Sequence, residues 1–475
     1  MNAPSNSDLL QAGTARNSSI ASAPCDAVIL AAGLGTRMRS QTPKVLHLMG
    51  GIPLLLWATR AAREATGHEP VVVVGPGAET EAAEGVLGDA ATLAVQSERR
   101  GTAHALLQAE PQLRGGAGLV LVLNADMPLL RGETLRKVVE LQTGQGGPFS
   151  MLTLRSGHPM GFGRVVRGKD GSVQEIVEEA LATSAQRSID ELNVGVYCFR
   201  SKWLWARLPR VRLSPQGEHY LTDLVGMASA EGENVATLVL EDEDEAIGVN
   251  TRVHLAEAEA ALRRRVNRRW MIAGATLRDP DTTYIGPGVE IGPDTVIEPN
   301  THLEGQTVIG PGCHLGPNSI VRDSTLGANC LVEGSVVEGA ELGDDVTIGP
   351  FSHLRAGARL GRGVHVGNFG EVKNSTFGPG VRMGHFSYVG DATVGADVNI
   401  GAGTITCNFD GEKKHPTEIG EGAFIGSDTM LVAPVRIGRR ARTGAGSVVT
   451  RDVPDDSVAV GVPARVIRRL GAADG

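Results

Sequence analysis

The feature that most constrains this chain is a repeat of about six residues that fills its second half. From Tyr284 onward, an aliphatic residue followed by glycine keeps returning at this spacing. A six-residue period fits neither an α-helix nor a simple hairpin, and it is typical of a parallel β-helix, in which each unit forms one flat side of a coil. We expect the aliphatic residue to point inward and the glycine to turn the corner, where a positive φ costs little without a Cβ. The pairs are Ile285-Gly286, Ile291-Gly292, Ile309-Gly310, Leu315-Gly316, Ile348-Gly349, Leu360-Gly361, Val366-Gly367, Met383-Gly384, Val389-Gly390, Ile400-Gly401, Ile419-Gly420, Ile425-Gly426 and Ile437-Gly438.

The composition agrees with a narrow coil. The chain contains 63 glycines and only 4% aromatic residues, which suits an interior with room for Ile, Val and Leu but not for rings. Ile297, Leu303 and Leu354 keep the spacing without the glycine. The full length of 475 residues is enough for two or three domains, so a further domain is expected before the repeat.

Charge and cysteine usage exclude several classes of protein. A net charge of −9 argues against a general nucleic-acid binder, and no apolar run is long enough to span a membrane. Five dispersed cysteines without a CxxC pair predict reduced thiols and a cytoplasmic protein. Residues 1–24 are rich in Ser, Asn and Ala and lack an apolar core, which predicts a disordered leader or an early start codon, and not a signal peptide.

Strand and helix patterns alternate through the first half, which predicts an α/β domain with a mostly parallel sheet. Residues 26–32 form the first buried-strand pattern, and helical patterns cover residues 54–65 and 102–109. Further parallel strands are expected at residues 71–74, 119–124, 151–154 and 194–199. The predicted domains are residues 25–250, a bridging helix at 251–272, and residues 273–475, with the regular coil running from about Thr282 to about Arg451.

A glycine-rich loop follows the first predicted strand. Its sequence is Leu30-Ala-Ala-Gly-Leu-Gly-Thr-Arg-Met38, and Pro43-Lys44 comes soon after. Backbone N–H groups of such a loop can surround phosphate oxygens, and Arg37 and Lys44 would supply positive charge for a triphosphate. The alternative is a dinucleotide-binding loop, but Met38 stands where the third glycine of that pattern would be.

Two oxygen-bearing side chains are candidates for holding Mg²⁺ on the phosphates. Asp126 ends a buried strand, which is where α/β sheets place their ligands, and Asn250 could be a second ligand. A lone Asp after a strand is about as often a helix cap or a turn residue. Asn250 considered alone would be an ordinary turn residue.

Three stretches interrupt the repeat, and interruptions of a rigid coil are functional candidates. One carries Arg355, a second carries Lys373 and leads to His385, and the third breaks the period as a loop from Gly401 to His415. Arg355 and Lys373 could bind the phosphate of a sugar phosphate, although surface Arg and Lys are more often simply solvated. His385 has the pKa range of a general base, although a lone histidine is more often a packed structural residue.

These motifs together carry a resemblance. The loop motif LAAGLGTRM with PKVLH resembles the signature of the sugar-1-phosphate nucleotidyltransferases. With the hexapeptide repeats behind it, the chain resembles the bacterial family of bifunctional N-acetylglucosamine-1-phosphate uridyltransferases and glucosamine-1-phosphate acetyltransferases, from about Asp26 to Arg451. The resemblance implies a Rossmann-like nucleotidyltransferase domain, a linker helix and a left-handed parallel β-helix. It also implies UTP and acetyl-CoA as co-substrates, Mg²⁺ at up to two sites, and synthesis of UDP-N-acetylglucosamine for the cell wall.

For the first domain, the resemblance implies a complete set of binding residues. Arg37 and Lys44 would act in catalysis, and Asp126 and Asn250 would bind the metal. The residues expected to bind the nucleotide or the sugar are Leu30, Gly33, Gln96, Gly101, Thr102, Gly163, Glu178, Asn193 and Asn250. Two departures from the family pattern occur here. Ala125 replaces a glycine and is expected to narrow the nucleotide site, and residues 178–182 lack the usual Lys and Asp.

For the second domain, the resemblance implies that His385 is the general base of acetyl transfer. The residues expected to hold glucosamine-1-phosphate or to lie beside the reacting amine are Arg355, Lys373, Tyr388, Asn399, Asn408 and Phe409. Those expected on the acetyl-CoA side are Ala402, Ser427, Ala445 and Arg465. Phe409 stands where the family commonly has Tyr, and Arg465 is displaced by a few residues from the family's arginine.

Partners and alternatives follow from the same resemblance. The family packs three coils together, and the apolar sides of a coil need cover, so a homotrimer is expected.

Two other interpretations of the function remain open from the sequence. One is a single-activity nucleotidyltransferase with the β-helix as an oligomerisation module, and the other is a non-catalytic scaffold. The first predicts loss of the residues around His385 and the second predicts decay of the phosphate loop, yet both sets are intact.

Overall fold

A computed structural model describes residues 24–113, 118–159 and 161–471. The predicted leader lies almost wholly outside these residues, as does the C-terminal tail after Gly471. The chain divides into two compact units between Glu259 and Ala260. No described helix combines the length and the apolar character needed to cross a membrane.

The first unit is built on a mixed sheet flanked by helices, with a separate two-stranded sheet formed by β2 and β3. The strands of this unit are β1 (Cys25–Leu30), β2 (Leu48–Met49), β3 (Ile52–Pro53), β4 (Val71–Val74), β5 (Thr92–Val95), β6 (Leu119–Asn124), β7 (Phe149–Arg155), β8 (Arg164–Arg167), β9 (Val173–Val177), β10 (Glu191–Arg200) and β11 (Ala236–Val239). Its helices are α1 (Leu54–Thr66), α2 (Ala78–Leu87), α3 (Thr102–Leu113), α4 (Gly132–Gly144), α5 (Ser184–Arg187), α6 (Ser201–Arg207), α7 (Asp223–Ala230) and α8 (Arg252–Ile272), the last of which continues into the second unit. Short 3-10 turns cover Thr36–Met38, Lys44–Leu46, Gly88–Ala90, Leu208–Arg210 and Glu243–Ala246.

The strand order in the main sheet is β11-β7-β10-β6-β1-β4-β5, with β8 and β9 joined to its side. Strand β1 pairs in parallel with both β4 and β6, and β4 pairs in parallel with β5. The carboxyl ends of these four strands therefore open at one edge of the sheet, which is the position where α/β folds bind ligands.

One predicted strand has the opposite direction from the one expected. Residues 194–199 lie in β10, which pairs antiparallel with both β6 and β7. The prediction of a parallel strand was wrong, because β10 runs opposite to both of its neighbours in the main sheet. The apolar run looked like a parallel strand because β10 is buried along nearly its whole length.

Helices cover both faces of the sheet, and this explains the continuous apolar strands. In β1, Ala27 and Ile29 belong to one buried cluster and Val28 belongs to the other. Successive residues of a strand point to opposite faces, so both faces must be covered for all three to be buried. The confirmed α/β architecture therefore follows directly from the unbroken hydrophobic pattern of β1, β4 and β6.

The second unit is a parallel β-helix of three faces, in accord with the left-handed hexapeptide-repeat fold that was predicted. Face A contains Thr276–Leu277, Val296–Ile297, His314–Leu315, Leu331–Val332, Thr347–Ile348, His365–Val366, Arg382–Met383, Asn399–Ile400, Phe424–Ile425, Arg442–Thr443, Ser457–Gly461 and Ala464–Arg469. Face B contains Tyr284–Ile285, His302–Glu304, Ile320–Arg322, Val336–Glu338, His353–Leu354, Gly370–Lys373, Ser387–Gly390, Ile405–Cys407, Met430–Val432 and Val448–Val449. Face C contains Glu290–Ile291, Val308–Ile309, Thr325–Leu326, Glu341–Leu342, Arg359–Leu360, Thr376–Phe377, Ala392–Val394, Thr417–Ile419 and Val435–Ile437.

The aliphatic member of each pair points inward as predicted, but the structural role of the glycine differs from the expected one. Most of these glycines have no positive φ, and Gly310 is an example. A Cβ on Gly310 would lie 2.5 Å from the carbonyl oxygen of Gly327 in the next coil. The positive φ falls two residues later, at Gly312. Glycine is therefore needed after the aliphatic residue because neighbouring coils stack backbone against backbone.

The coil extends beyond the predicted limits at both ends. Its first strand begins at Thr276, and its last face ends in an antiparallel hairpin that reaches Arg469. At the first coil, Asn267 of α8 is buried, and its amide donates to the carbonyl oxygens of Pro280 and Thr283 at 2.8 and 2.9 Å. The second half of α8 therefore covers the open start of the coil.

Candidate active sites

The carboxyl ends of the parallel strands in the first unit open into a cleft of about 460 Å³. Most of the predicted nucleotide and metal residues meet there, although the sequence places them on separate elements. The lining residues that were predicted are Leu30, Gly33, Arg37, Lys44, Gln96, Gly101, Thr102, Asp126 and Asn250. The cleft is therefore assembled within one unit of one chain.

The loop after β1 forms the floor of the cleft. Gly35 has a φ of +59°, and a Cβ there would come within 2.5 Å of the Lys44 side chain. Gly33 has nothing within 4 Å of its would-be Cβ, so its backbone faces open space. This combination leaves the loop backbone free for close approach by a ligand and fixes Lys44 against the loop.

The two predicted metal ligands converge on one cationic group. The Nζ atom of Lys44 lies 2.6 Å from Oδ2 of Asp126 and 3.2 Å from Oδ1 of Asn250, and Arg37 also donates to Oδ1 of Asn250 at 3.0 Å. The described residues contain no group of three or more His, Cys, Asp or Glu side chains placed to hold a metal ion. A cation here would thus take two protein oxygens, which suits Mg²⁺ because it keeps water and phosphate as its other ligands.

The opposite end of the cleft carries Gln96 and the start of helix α3. Gly101 has a φ of +100°, and a Cβ there would lie 2.5 Å from the carbonyl oxygen of His219. Thr102 accepts a hydrogen bond from the backbone of Leu221 at 2.9 Å. These contacts fix the turn into α3 beside the buried side chain of Gln96.

The three predicted sugar residues lie close to one another but do not line the cleft. The backbone of Asn193 donates to the carbonyl oxygen of Gly163 at 2.9 Å. Glu178 accepts from the Thr222 hydroxyl at 2.9 Å, and burial raises the pKa of the Glu178 carboxyl. Gly195, two residues after Asn193, approaches the Asn124 side chain of the cleft. The sugar residues thus border the cleft from β8, β9 and β10.

The structure adds residues that sequence reasoning missed. Tyr197 is buried and its hydroxyl donates to Oδ1 of Asn193 at 3.0 Å, which holds that amide in place. Arg99 lines the cleft, where it donates to the carbonyl oxygen of Ala32 and pairs with Glu79, each at 2.7 Å. The period-two pattern of β10 places Tyr197 on the opposite face from its neighbours, but only the fold shows that it meets Asn193.

One expectation about this cleft is corrected. The methyl group of Ala125 was expected to narrow the nucleotide site. Ala125 is instead fully buried in the hydrophobic core, and only its neighbours Asn124 and Asp126 reach the cleft. The substitution leaves the lining unchanged because alternate residues at the end of β6 point away from the cleft.

In the second unit, four predicted residues share one corner of the coil. Strand pairing on face A places Arg382, Asn399, Phe424 and Arg442 level with one another. The residues three positions later therefore stack at the turn between faces A and B, and we call them the corner column: His385, Ala402, Ser427 and Ala445. Arg465 pairs with Val460, near the end of this column. The predicted base and three of the four predicted acetyl-CoA residues thus stack along one corner of the coil.

The predicted sugar-phosphate residues gather at the other end of face B. Lys373 is level with Gly390, and its neighbours include Arg355 and Lys414, a residue the sequence analysis did not single out. The positive charges of Lys414 and Arg355 lower the pKa of Lys373. We call Arg355, Lys373 and Lys414 the cationic cluster. Glu371 pairs with Arg355 and Asp391 lies 4.0 Å from Lys414, which offsets part of the charge, and three cations gathered in one place can bind an anion.

Polar residues order the edge of the cationic cluster. The Asn408 amide donates to Oδ2 of Asp391 at 2.6 Å and lies 3.5 Å from the Tyr388 hydroxyl. Glu371 accepts from Arg355 at 2.8 Å. Phe409 is mostly exposed and pairs with Lys414 across the base of the extruded loop. The break in the repeat from Gly401 to His415 thereby brings Asn408 and Lys414 beside Lys373.

The corner column and the cationic cluster stand at opposite ends of face B. His385 comes two residues before the strand that ends at Gly390, so it lies about five residues, or roughly 16 Å, from the level of Lys373. Asn399 lies on face A, beyond the corner column. One coil therefore does not bring the predicted base, CoA residues and sugar-phosphate residues together.

Comparisons with known proteins agree with both halves of this description. Residues 27–195 match the MobA-like NTP transferase domain, and residues 339–374 and 416–451 match the bacterial transferase hexapeptide repeats.

Curated relatives match nearly the whole chain. A bifunctional protein GlmU from Streptococcus suis (strain 98HAH33) is 44% identical over 436 residues, which cover 92% of this chain and 94% of the relative. A bifunctional protein GlmU from Heliobacterium modesticaldum (strain ATCC 51547 / Ice1) is 47% identical over 91% of this chain and 94% of its own length. Another, from Pelobacter propionicus (strain DSM 2379 / NBRC 103807 / OttBd1), is 46% identical over 91% and 95%.

Proposed function

Since this chain belongs to the family of bifunctional GlmU proteins, we propose that it carries out two consecutive reactions at two separate sites. The second unit transfers the acetyl group of acetyl-CoA to glucosamine-1-phosphate. The first unit then joins the N-acetylglucosamine-1-phosphate to UTP and releases pyrophosphate. The observation that supports the proposal is that one chain carries the predicted residues of both sites, in the cleft of the first unit and in the corner column and cationic cluster of the second. We assign uridylyl transfer to residues 25–250, acetyl transfer to 273–475, and a linking role to the helix at 251–272.

Uridylyl transfer needs positioning and charge neutralisation more than an acid or base. The phosphate oxygen of the sugar attacks the α-phosphorus of UTP, the bond from this phosphorus to the bridging oxygen breaks, and pyrophosphate leaves. Arg37 and Lys44 lie where they can neutralise the triphosphate. Asp126 and Asn250 would hold Mg²⁺, which, when bound, supplies further positive charge to the phosphates. Glu178 and Asn193 hold the sugar hydroxyl and amide groups beside the cleft.

Acetyl transfer needs a neutral amine on the sugar. His385 takes a proton from the ammonium group of glucosamine-1-phosphate, and the freed nitrogen attacks the thioester carbon of acetyl-CoA. The carbon–sulfur bond then breaks, and the second proton that the nitrogen loses as the amide forms passes to the sulfur, so that CoA leaves as the thiol. The exposed position of His385 leaves it accessible for this role. The cationic cluster binds the sugar phosphate, and the small side chains of Ala402, Ser427 and Ala445 leave room for CoA along the corner.

The acetyl-transfer site is proposed to form between chains of a homotrimer. The corner column and the cationic cluster are separated by face B, so the corner of one coil must meet the cluster of a neighbour. The exposed rings of Phe351, Phe369 and Phe386 follow the same corner in consecutive coils, which gives a packed partner apolar surface to cover. UTP and acetyl-CoA are both cytoplasmic metabolites, so we propose the cytoplasm as the place of action.

Two assays test the proposed function directly. Purified protein with acetyl-CoA and glucosamine-1-phosphate, without nucleotide, should release thiol only when this acceptor is present. Protein with UTP, N-acetylglucosamine-1-phosphate and Mg²⁺ should release pyrophosphate. Pyrophosphate formation without acceptor-dependent thiol release would indicate a single-activity nucleotidyltransferase. If neither product forms, the proposal is refuted.

A further inference from the structure

The amide group of Gln96 has a fixed orientation in the cleft. Gln96 is only 3% exposed, and its Nε2 atom lies 3.1 Å from the carbonyl oxygen of Gly101 and 3.0 Å from Nδ1 of His104. Both hydrogens of the amide nitrogen are therefore used within the protein. No hydrogen bond to Gln96 Oε1 is present among the described residues, so this carbonyl is left to meet a ligand.

The orientation follows from the chemistry of the two partners. A backbone carbonyl can only accept a hydrogen bond, so Nε2 and not Oε1 must face Gly101. With both amide hydrogens committed, His104 Nδ1 must accept, which places the ring proton on Nε2 of His104. Rotating the amide by half a turn would set its oxygen against the carbonyl oxygen of Gly101 and, in this tautomer, against Nδ1 of His104. His104 therefore supplies the second of two contacts that select one orientation.

The surroundings of His104 favour the neutral ring that this arrangement requires. Burial lowers the pKa of His104, and the positive charge of Arg100 and the neighbouring His219 lower it further. The carboxylate of Glu98 acts in the opposite direction. These three groups come from the turn before α3 and from the segment before α7 that packs on it.

We propose that His104 is a positioning residue for base selection, because it holds the Gln96 amide with its carbonyl toward the bound base. A carbonyl that faces N3 of the base accepts a hydrogen bond from uracil, which carries an N–H at that position. Cytosine has an acceptor at N3, and two acceptors would face each other. This inference rests on the proposed uridylyl transfer at this cleft and extends it to the choice of base.

The test compares UTP with CTP in the pyrophosphate assay. The ratio of kcat/KM for the two nucleotides should fall by about two- to tenfold in His104→Ala, the range that one neutral hydrogen bond is worth. His104→Asn should keep most of the wild-type ratio, because its side-chain oxygen can accept near the position of Nδ1. Gln108→Ala is the matched control, since Gln108 donates to the backbone oxygen of His104 from the same helix and does not touch Gln96.

A pH series supplies a readout that a purely structural role would not move. Below the pKa of His104 the ring becomes a donor at both nitrogens and no longer accepts from Gln96. The wild-type ratio should therefore fall on acidification, whereas the ratio of His104→Ala should stay flat. A UTP-to-CTP ratio in His104→Ala equal to that of the wild type at every pH, with wild-type turnover of UTP intact, would overturn the inference. Absence of UTP turnover in the wild type would instead refute the proposed function.

Discussion

The two units of this protein build their sites in opposite ways. In the first unit, loops from several strand ends converge on one cleft, where Lys44 bridges Asp126 and Asn250 within a single chain. In the second unit, the corner column and the cationic cluster lie at opposite ends of face B. An α/β sheet gathers its strand ends at one edge, whereas a β-helix distributes its corners around a triangle.

This contrast has a consequence for catalysis. A sheet edge can enclose a nucleotide without help, because loops of one chain approach from several directions. A coil presents mostly flat outer faces, so a ligand on one of them is enclosed only when something packs beside it. The first site should accordingly tolerate changes in association state, and the second site should depend on them.

The largest expected effect comes from removing the base on the corner column. His385→Ala should lower acetyl transfer by about 10² to 10⁴-fold, the usual contribution of a general base, and should leave uridylyl transfer unchanged. His314→Ala is the matched control, since it removes an exposed histidine from the same β-helix several coils earlier. A fall of less than tenfold in thiol release would contradict the assignment of His385 as the base.

The complementary change in the first unit should show the opposite selectivity. Asp126→Ala should lower Mg²⁺-dependent pyrophosphate formation by about 10² to 10³-fold, as for other groups that stabilise transition-state charge. Acetyl transfer should be unaffected. Asp170→Ala, which removes an exposed carboxylate of the same unit outside the cleft, should change neither activity. Unchanged turnover in Asp126→Ala would exclude this carboxylate from metal binding.

Mixing experiments test the proposed difference between the sites most directly. His385→Ala and Lys373→Ala chains, each inactive in acetyl transfer, should regain activity when unfolded and refolded together. Random assembly restores about a quarter of the sites if each site uses one residue from each of two neighbours. The same mixture of Lys44→Ala and Asp126→Ala chains should regain no uridylyl transfer. Recovery of uridylyl transfer in the second mixture, or no recovery of acetyl transfer in the first, would contradict the proposed difference between the two sites.

The smallest expected effect concerns the charge balance of the cationic cluster. A lysine with a lowered pKa loses its charge at a lower pH, so the KM for glucosamine-1-phosphate should begin to rise below pH ~10.4, the ordinary lysine value. Lys414→Ala removes the main cause and should move this rise to higher pH relative to wild type, although binding is weaker overall. Lys413→Ala should leave the profile in place. An identical profile in Lys414→Ala would contradict the coupling.

The fold was largely predictable because its signals are local and repeated. The buried run of β1 and the period of the aliphatic pairs each report on packing within a few residues, and both predictions are confirmed. Two local signals misled. The apolar run of β10 does not reveal the direction of the strand, because a strand buried on both faces is continuously apolar whether its pairing is parallel or antiparallel. The glycine of each pair marks coil stacking, which depends on a residue in the next turn of the coil.

The sites were less predictable because their geometry depends on partners far apart in the sequence. Lys44, Asp126 and Asn250 were each recognised, but no local pattern indicates that the ammonium group of Lys44 contacts both other side chains. Lys414 was missed because a lysine in an irregular loop resembles any solvated charge. Tyr197 was missed because a buried tyrosine in a strand resembles core. The position of each is decided by the pairing of strands, which a single sequence does not display.

The helix that covers the start of the coil also sets an order in time. During synthesis, α8 leaves the ribosome before Thr276, so the surface on which the first coil stacks already exists when that coil emerges. Each later coil can then pair with the coil made just before it, so no strand depends on a partner that is distant in the sequence. The hairpin ending at Arg469 is the last part of the β-helix to be made, and its last strand pairs with the strand before it on face A. The β-helix is thus a structure that can be laid down in the direction in which it is translated.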